Sequence, residues 1–420
     1  LGEGILTGPF ARADGHLLCG AVPAAEIAER FGTPLFVYDI GHITERVRAF
    51  GDAFADVDHL IAYSVKANGN LSILRRLAEL GCGADVTSGG ELFRARKAGI
   101  PAERIVFAGV GKSRDEIRAA LREGIYAFNV ESRGELERLD ALAGEVGIEA
   151  PFGVRVNPDV LAATPHAYTR TGHAESKFGV PWDETRALYE WARCREHLRP
   201  LGIDAHIGSQ IVDTAPYLNA LGRVLELVGE LAMIGIELEF LDLGGGYGIS
   251  YDGMPALDIV ELAGLISPRV ASLGLRLILE PGRSLVGEAG VMLTRVEYVK
   301  RTGKKTFVVV DGGMTELIRP SHYGGYHTIE RVGPPSGEPA QPVDVVGPIC
   351  ETGDFLALDR TIEVPEPGEL LAVRTVGAYG FTMASNYNGR LRPAEAMVEG
   401  SEVTLIRRRE TLEDLIRGEE

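Results

Sequence analysis

Lysine is scarce in this chain: seven lysines stand beside 36 arginines in 420 residues. Chemistry that needs an amine has few places to sit, at Lys66, Lys97, Lys112, Lys177, Lys300, Lys304 or Lys305. Cysteine is scarcer still. Cys19, Cys82, Cys194 and Cys350 form no CxxC pair. Their spacings match neither a zinc ribbon nor a disulfide framework, so no metal site is expected and the reduced cytoplasm is the expected compartment. No run of 18 apolar residues occurs, which excludes a membrane-spanning helix. The opening LGEGILTGPF has no basic n-region and no apolar h-region, so no signal peptide is expected. Positive charge is short as well: 43 basic against 60 acidic residues give a net charge of −17. Such a surface repels phosphate backbones and anionic lipid, so neither nucleic acid nor membrane is an expected partner.

What is present is ordinary for a globular protein, with 45% hydrophobic and 25% charged residues. Eight short apolar runs punctuate residues 59–283: HLIAYSVK (59–66), GADV (83–86), IVFAG (105–109), AFNV (127–130), FGVRVN (152–157), IDAHIG (203–208), LEFLDLG (238–244) and LRLILEPG (275–282). Amphipathic stretches such as LSILRRLAELG and RDEIRAALREG lie between most of them and end in glycine, as a left-handed C-cap wants. Repeated strand and helix with strands this apolar predict a parallel sheet buried on both faces. Eight units predict a (β/α)8 TIM-type barrel over 40–283, with a doubly wound open sheet as the alternative. After 284 the texture turns β-rich (VMLTRVEYVKR, KTFVVVDGG, PVDVVG, GELLAVRTVG) and predicts a C-terminal all-β sandwich or barrel. Residues 1–39, with HLLCGA and PLFVYDI, are assigned to the same β-domain as 284–420.

Chemistry in such a barrel sits at the C-terminal ends of the strands. There the sequence places Lys66, Asp85 with Ser88, Arg155 with Asn157, His206 with Ser209, Gly244–Gly246, and Glu280 with Arg283. Lys66, behind a buried strand in AYSVKAN, reads as an amine that loses its proton readily and can form a Schiff base. The glycines 244–246 lie in the loop after strand seven, where this architecture binds phosphate on bare N–H groups. Ser209 can add a hydroxyl. Glu280 and Arg283 in EPGR read either as an ion pair across a Pro281–Gly282 turn or as an acid facing a heterocyclic nitrogen. His206 is placed to pack on that ring. Amine, phosphate cradle and acid together describe a pyridoxal 5'-phosphate site, in which the acid keeps the ring nitrogen protonated.

YSVKAN, HIGSQ, the GGG loop and EPGRS resemble the alanine-racemase-like, fold type III class of pyridoxal-phosphate decarboxylases. The resemblance is closest to the diaminopimelate decarboxylase family and spans nearly the whole chain, through GADVTSGGEL, FAGVGKSRDEI, FNVES, RVNPDV, TGHAESKFG, VDGGMTELIRPSHYGGYH, VGPICETGDFLA and GAYGFTMASNYNGRLRPAE. It implies that Lys66 holds the cofactor and that Asp85, Arg155, His206, Ser209, Gly245, Gly246, Glu280, Pro281, Gly282, Arg283 and Tyr379 bind it. It implies that Arg283, Arg319, Tyr323, Glu351 and Tyr379 bind an amino-acid substrate. It further implies a homodimer with shared active sites, in which Cys350 and Glu351 enter from the second subunit. Pro165 and the pair Ser64–Val65 depart from the family pattern, and neither is expected to touch a catalytic group.

Arg319 can hold a carboxylate with two parallel hydrogen bonds, and Glu351 can accept from an ammonium. Meso-diaminopimelate carries both groups at its far end, whereas lysine and ornithine lack the distal carboxylate. Cys350 is read as a thiol that returns a proton to carbon after CO2 leaves, which fixes stereochemistry. The expected reaction is decarboxylation of meso-diaminopimelate to L-lysine. The alternative is another basic amino acid (ornithine, lysine or arginine) on the same fold. Glu280 argues against a racemase, which would want a weaker partner at the ring nitrogen. Lys66 and the glycine loop argue against a non-catalytic regulator.

Overall fold

The computed structural model describes residues 9–160, 166 and 177–419. Pro165 and the TGHAES part of one family match lie outside them, as do the first eight residues of the chain. The chain divides into two units: 46–249 with 255–284, and 1–45 with 250–254 and 285–420. The division at 45/46 falls inside helix Ile40–Ala53, whose first residue is the expected start of the barrel domain. Residues 250–254 also belong with the β-rich unit. No helix of the described residues is long and apolar enough to cross a membrane.

All eight predicted runs form strands, and together they close a parallel barrel. In chain order these are His59–Ser64, Gly83–Val86, Ile105–Phe107, Ala127–Val130, Ala150–Arg155, Leu198–Asp204, Phe240–Asp242 and Arg276–Leu279. The eighth closes on the first, with Leu277 opposite His59 and Leu279 opposite Ile61. Several of the intervening helices start on side-chain caps. Ser113 and Glu116 form a reciprocal capping box on helix Arg114–Glu123, which ends on the left-handed Gly124. The Ser88 and Ser132 hydroxyls cap the helices Gly89–Lys97 and Arg133–Val146 by accepting from the Glu91 and Glu135 amides.

Strand alternation sorts the barrel interior into layers. Leu60, Ala62, Val106, Ala127, Leu201, Phe240 and Ile278 form one apolar cluster. The Phe240 ring fills space that Gly202 leaves open, since a Cβ there would lie 2.4 Å from its carbons. Two residues further along seven of the eight strands, on the same face, come Ser64 after Ala62, Asp85 after Gly83 and Asn129 after Ala127. Arg155 likewise follows Gly153, Asp204 follows Gly202, Asp242 follows Phe240 and Glu280 follows Ile278. All seven are buried. The barrel is therefore plugged with hydrocarbon at one level and lined with polar groups at the next, toward the strand C-termini.

The β-rich unit is a nine-stranded mixed sheet with a small three-stranded sheet and the helix Ala24–Phe31. Leu35–Asp39 lies inside the large sheet, antiparallel to Gly290–Arg301 (Val37 opposite Val291) and parallel to Ala394–Glu399 (Val37 opposite Ala396). Its core gathers Leu17, Val37, Val291, Leu293, Ala372 and Ala396 from both ends of the chain.

Lys112 leaves the search for a reactive amine at this point. Its Nζ donates to Glu135 Oε1 (2.6 Å), Asn129 O (2.7 Å) and Gly109 O (2.9 Å), so all three donors are used inside the barrel unit. Glu135 Oε2 in turn accepts from the Glu131 amide at 2.9 Å. Breaking one side of such a pair leaves an uncompensated buried charge. Lys112→Ala is expected to destabilise the protein by about 3–5 kcal/mol, read as a lower urea midpoint. Lys112→Met with Glu135→Gln, which leaves no lone charge, is expected to recover most of that loss.

Candidate active site

The first barrel strand runs into the short turn Val65–Ala67, which carries Lys66. Its Nζ lies 2.5 Å from Asp85 Oδ2, with the Asp85 side chain wholly buried and the lysine side chain 37% exposed. The amine thus faces the open side while its counter-ion is sealed beneath it. The Ser64 hydroxyl donates to the same Oδ2 at 2.8 Å and lies 3.1 Å from Glu280 O. This corrects the expectation for the Ser64–Val65 pair: Ser64 lies one hydrogen bond from the group that pairs with Lys66. The strand's period of two puts it on the inner face, which the comparison of motifs alone did not reveal.

Behind the amine stands a set of buried carboxyls. Burial, then the neighbouring Asp242, Asp85 and Asp204, push the Glu280 carboxyl well above its usual range. Burial likewise holds Asp242 up at about 7, against hydrogen bonds from the Gly244 amide, Glu280 and Asn129. Asp204 is raised by burial and by Asp242. Arg155 answers part of this charge, 3.1 Å from Glu131 Oε1 and 3.9 Å from Asp204 Oδ2. Glu131 Oε2 also accepts from the Gly179 amide (3.0 Å), and its Oε1 from the Gly109 amide (3.1 Å). It therefore ties three loops to Arg155. Sequence reasoning missed Asp204, Asp242, Asn129 and Glu131. The signal was available in the alternation of GADV, AFNV, GID and FLD, where a polar residue follows a small or apolar one on the inward face.

The glycine run is shaped by packing before any ligand is considered. Gly244 and Gly246 have φ of +63° and +90°. A Cβ on Gly245 would lie 2.2 Å from Glu280 O, and one on Gly246 2.2 Å from Gly208 O. The Gly244 amide donates to Asp242 Oδ1 (2.8 Å) and the Gly245 amide to His206 Nδ1 (3.0 Å). His206 therefore accepts at Nδ1. Burial, then Arg155 and Lys66, push its pKa well down and keep the imidazole neutral. Of the two amides expected to donate to phosphate, Gly245 is thus engaged, while Gly246 donates in none of the described hydrogen bonds. Arg283 Nη2 donates to Ser209 Oγ at 3.0 Å, which draws the loop after strand six to the Pro281–Gly282 turn.

Four buried oxygens in this region have no hydrogen-bond partner: Glu280 Oε1, Asp85 Oδ1, Asp204 Oδ1 and Asn129 Oδ1. An unsatisfied buried acceptor is costly unless a donor arrives. A half-open amine, an orphaned carboxyl oxygen and a glycine-cradled loop fit pyridoxal phosphate, which brings an aldehyde, a ring N–H and a phosphate.

The remaining predicted residues lie in the β-rich unit. Arg319 opens the short helix Arg319–Tyr323 and is buried, not the surface residue that its place before a proline suggests. Its Nη1 lies 2.7 Å from His327 Nε2, and its guanidinium stacks 4.5 Å from the Tyr251 ring centroid. His327 Nδ1 lies 2.8 Å from Arg374 O, so Nδ1 carries the proton and Nε2 accepts from Arg319. His327 and Tyr251 were also missed. Tyr323 closes that helix beside His322, with ring centroids 4.4 Å apart. Tyr379 holds a left-handed backbone at φ +56°, a conformation a tyrosine keeps only when its surroundings impose it. Cys350 is exposed, as is Glu351. Their loop hangs on buried Asp354, whose Oδ1 and Oδ2 accept from the Met314 and Ile349 amides, each at 2.6 Å.

Comparison with known proteins agrees with this geometry. Residues 40–287 match the family model described as the pyridoxal binding domain of pyridoxal-dependent decarboxylases. A diaminopimelate decarboxylase of Pseudomonas aeruginosa is 49% identical over 98% of both chains. One of Aquifex aeolicus is 48% identical over 96% of this chain and 95% of its own. The crystal structure of the Helicobacter pylori diaminopimelate decarboxylase complexed with L-lysine superposes with a TM-score of 0.91 at 42% identity, covering 94% of this chain and 98% of that one. On this sequence likeness, over nearly the full length and on the same barrel, the chain belongs to the diaminopimelate decarboxylase family of pyridoxal-dependent decarboxylases.

Proposed function

We propose that this protein decarboxylates meso-diaminopimelate to L-lysine and CO2 with pyridoxal phosphate as cofactor. The observation that carries the reading is the pairing of a half-exposed Lys66 with buried carboxyls, one of which leaves Glu280 Oε1 unpartnered. When bound, the cofactor supplies the electron sink for the pair left on carbon as CO2 departs. Lys66 provides its attachment point. Asp85 holds the amine in place until then. Glu280 accepts from the ring nitrogen and keeps a proton there. Neutral His206 offers a flat face to the ring while its Nδ1 fixes the Gly245 amide. Gly246, Ser209 and Tyr379 serve the phosphate.

On the substrate side, Arg319 reads the distal carboxylate, with Tyr323 beside it on the same helix and Arg283 near the cofactor turn. Glu351 accepts the distal ammonium. Cys350 Sγ returns a proton to the carbon that lost CO2. Exposure of Cys350 and Glu351 supports a homodimer in which each subunit lends these two residues to the other's site. The family's biosynthetic chemistry and the scarcity of cysteine support a cytoplasmic location.

Three measurements test this. CO2 release should be rapid from meso-diaminopimelate and at least about 100-fold slower from lysine and ornithine, because a site built for a carboxylate rejects its absence. Comparable rates on ornithine would make the protein a general basic-amino-acid decarboxylase. Arg319→Ala should cost about 2–5 kcal/mol in kcat/KM for diaminopimelate. His327→Phe keeps a ring against Tyr251 but removes the acceptor at Nε2, and should cost about tenfold. An unchanged kcat/KM in both variants would mean that the carboxylate is read elsewhere, with Arg283 first in line. Finally, Lys66→Ala and Cys350→Ala proteins, each inactive alone, should recover about a quarter of wild-type activity when refolded together, since half of a random mix is heterodimer with one intact site. No recovery would place both residues in one subunit.

A further inference from the structure

We propose that Asp354 is the positioning residue for Cys350: its buried carboxylate ties the Ile349 amide to the turn at Met314 and so fixes where the thiol stands. The inference rests on the proton-returning role given to Cys350 above and adds the group that holds the thiol in place. Residues 347–354 connect the strands Gln341–Val346 and Phe355–Ile362, which pair antiparallel with Val346 opposite Phe355. Cys350 and Glu351 are exposed in this connection. Cys350 Sγ makes no hydrogen bond among the described residues, so its place is set by the backbone alone. Asp354, itself buried, fixes that backbone from inside. Its Oδ2 accepts from the Ile349 amide and its Oδ1 from the Met314 amide, each at 2.6 Å. Bonds from an ionised acceptor are the strong kind. The connection also closes on itself: the Asp354 amide donates to Glu351 O at 3.1 Å and the Glu351 amide to Ile349 O at 2.8 Å.

The cage around Asp354 is shaped for a carboxylate. A Cβ on Gly313 would lie 2.3 Å from Asp354 Oδ1, and one on Gly347 2.5 Å from Oδ2, so both glycines make room for the two oxygens. Two amides aimed at two oxygens need an acceptor at each. A carboxylate offers that, whereas an asparagine of the same shape has one acceptor and would set its NH2 against an N–H. The far anchor is firm. The Gly313 amide donates to Glu316 Oε2 at 2.7 Å and the Leu317 amide to Gly313 O at 2.9 Å, which close the turn that carries Met314. The Cys350 amide has a second tether, Asn388 Oδ1, but at 3.4 Å it is the weaker one. Asp354 thus joins an exposed thiol loop to a closed turn through two short bonds, one residue from the thiol.

Turnover of diaminopimelate in D2O by the cofactor-loaded protein reads the thiol's position. The carbon that lost CO2 becomes the amine-bearing CH2 of lysine and takes one deuteron from the exchanged thiol. Wild-type protein should give one configuration at that carbon. Cys350→Ala should give a mixture, because water then supplies either face. Asp354→Asn should also give a mixture and lower kcat about tenfold, the cost of a misplaced group. In the Cys350→Ala background the same substitution should leave the mixture where Cys350→Ala put it. A single configuration from Asp354→Asn, whatever its kcat, overturns the inference and leaves the role of Cys350 standing. A mixture from the wild type, or a single configuration from Cys350→Ala, removes that role and the inference with it. Lys112→Ala, destabilised elsewhere, should keep one configuration; a mixture there assigns the effect to lost stability and overturns the inference. If the Asp354→Asn protein does not fold, amide hydrogen exchange on the wild-type protein decides. The Met314 and Ile349 amides should exchange together and at least about 100-fold more slowly than free amides. Exchange of the Ile349 amide at the rate of an open loop overturns the inference.

Discussion

Carboxyl groups sealed inside a closed sheet cannot turn to water, so they must share protons and cations among themselves. That constraint organises the upper half of this barrel. Asp85, Glu131, Asp204, Asp242 and Glu280 are buried together, against the cations Lys66 and Arg155. The balance is met in pieces. Asp85 takes Lys66, Glu131 takes Arg155, and Asp242 takes the Gly244 amide and the Asn129 side chain. Each piece also positions a loop. Asp242 holds the Gly244 amide, and Glu131 holds those of Gly109 and Gly179. The charges that make the chemistry are thus the charges that shape its frame.

The layer beneath makes this arrangement possible. Seven apolar side chains close the barrel below the polar level, with the Phe240 ring lying over the space left by Gly202. Without that plug, water entering from below would screen the carboxyls and lower their proton affinity. A glycine two residues before an acid in GADV, and again in GID before Asp204, is therefore part of the same design as the acid. A side chain at Gly202 would leave no room for the Phe240 ring, and one at Gly83 would meet the Arg104 carbonyl oxygen at 2.1 Å.

Much of the barrel could be read from the sequence, because a parallel strand buried on both faces leaves an unbroken apolar run. The eight runs were found for that reason, and the polar residues just beyond them stood out against hydrocarbon. The same reasoning hid Asp204, Asp242 and Asn129. They lie within the runs, where a lone polar residue looks like noise until the alternation is counted and its neighbours on adjacent strands are known. His327 was hidden differently. It supports Arg319 from eight residues away, with its other nitrogen on the backbone at Arg374, a pairing that only the fold of the β-rich unit creates. The glycine loop was read correctly as special, but for an incomplete reason. Gly245 and Gly246 are required by the backbone oxygens of Glu280 and Gly208 whether or not phosphate is bound.

The two halves of substrate recognition rest on opposite electrostatics, and this separates affinity from chemistry. In the barrel, acids outnumber cations, and Glu280 Oε1 is a buried acceptor short of a donor, which suits the ring N–H of the proposed cofactor pose. In the β-rich unit, the His327 imidazole and the Tyr251 ring orient the Arg319 guanidinium. His327 spends Nδ1 on the Arg374 carbonyl and meets Arg319 with Nε2, so the backbone of the β-rich unit fixes where the guanidinium of the proposed substrate arginine points.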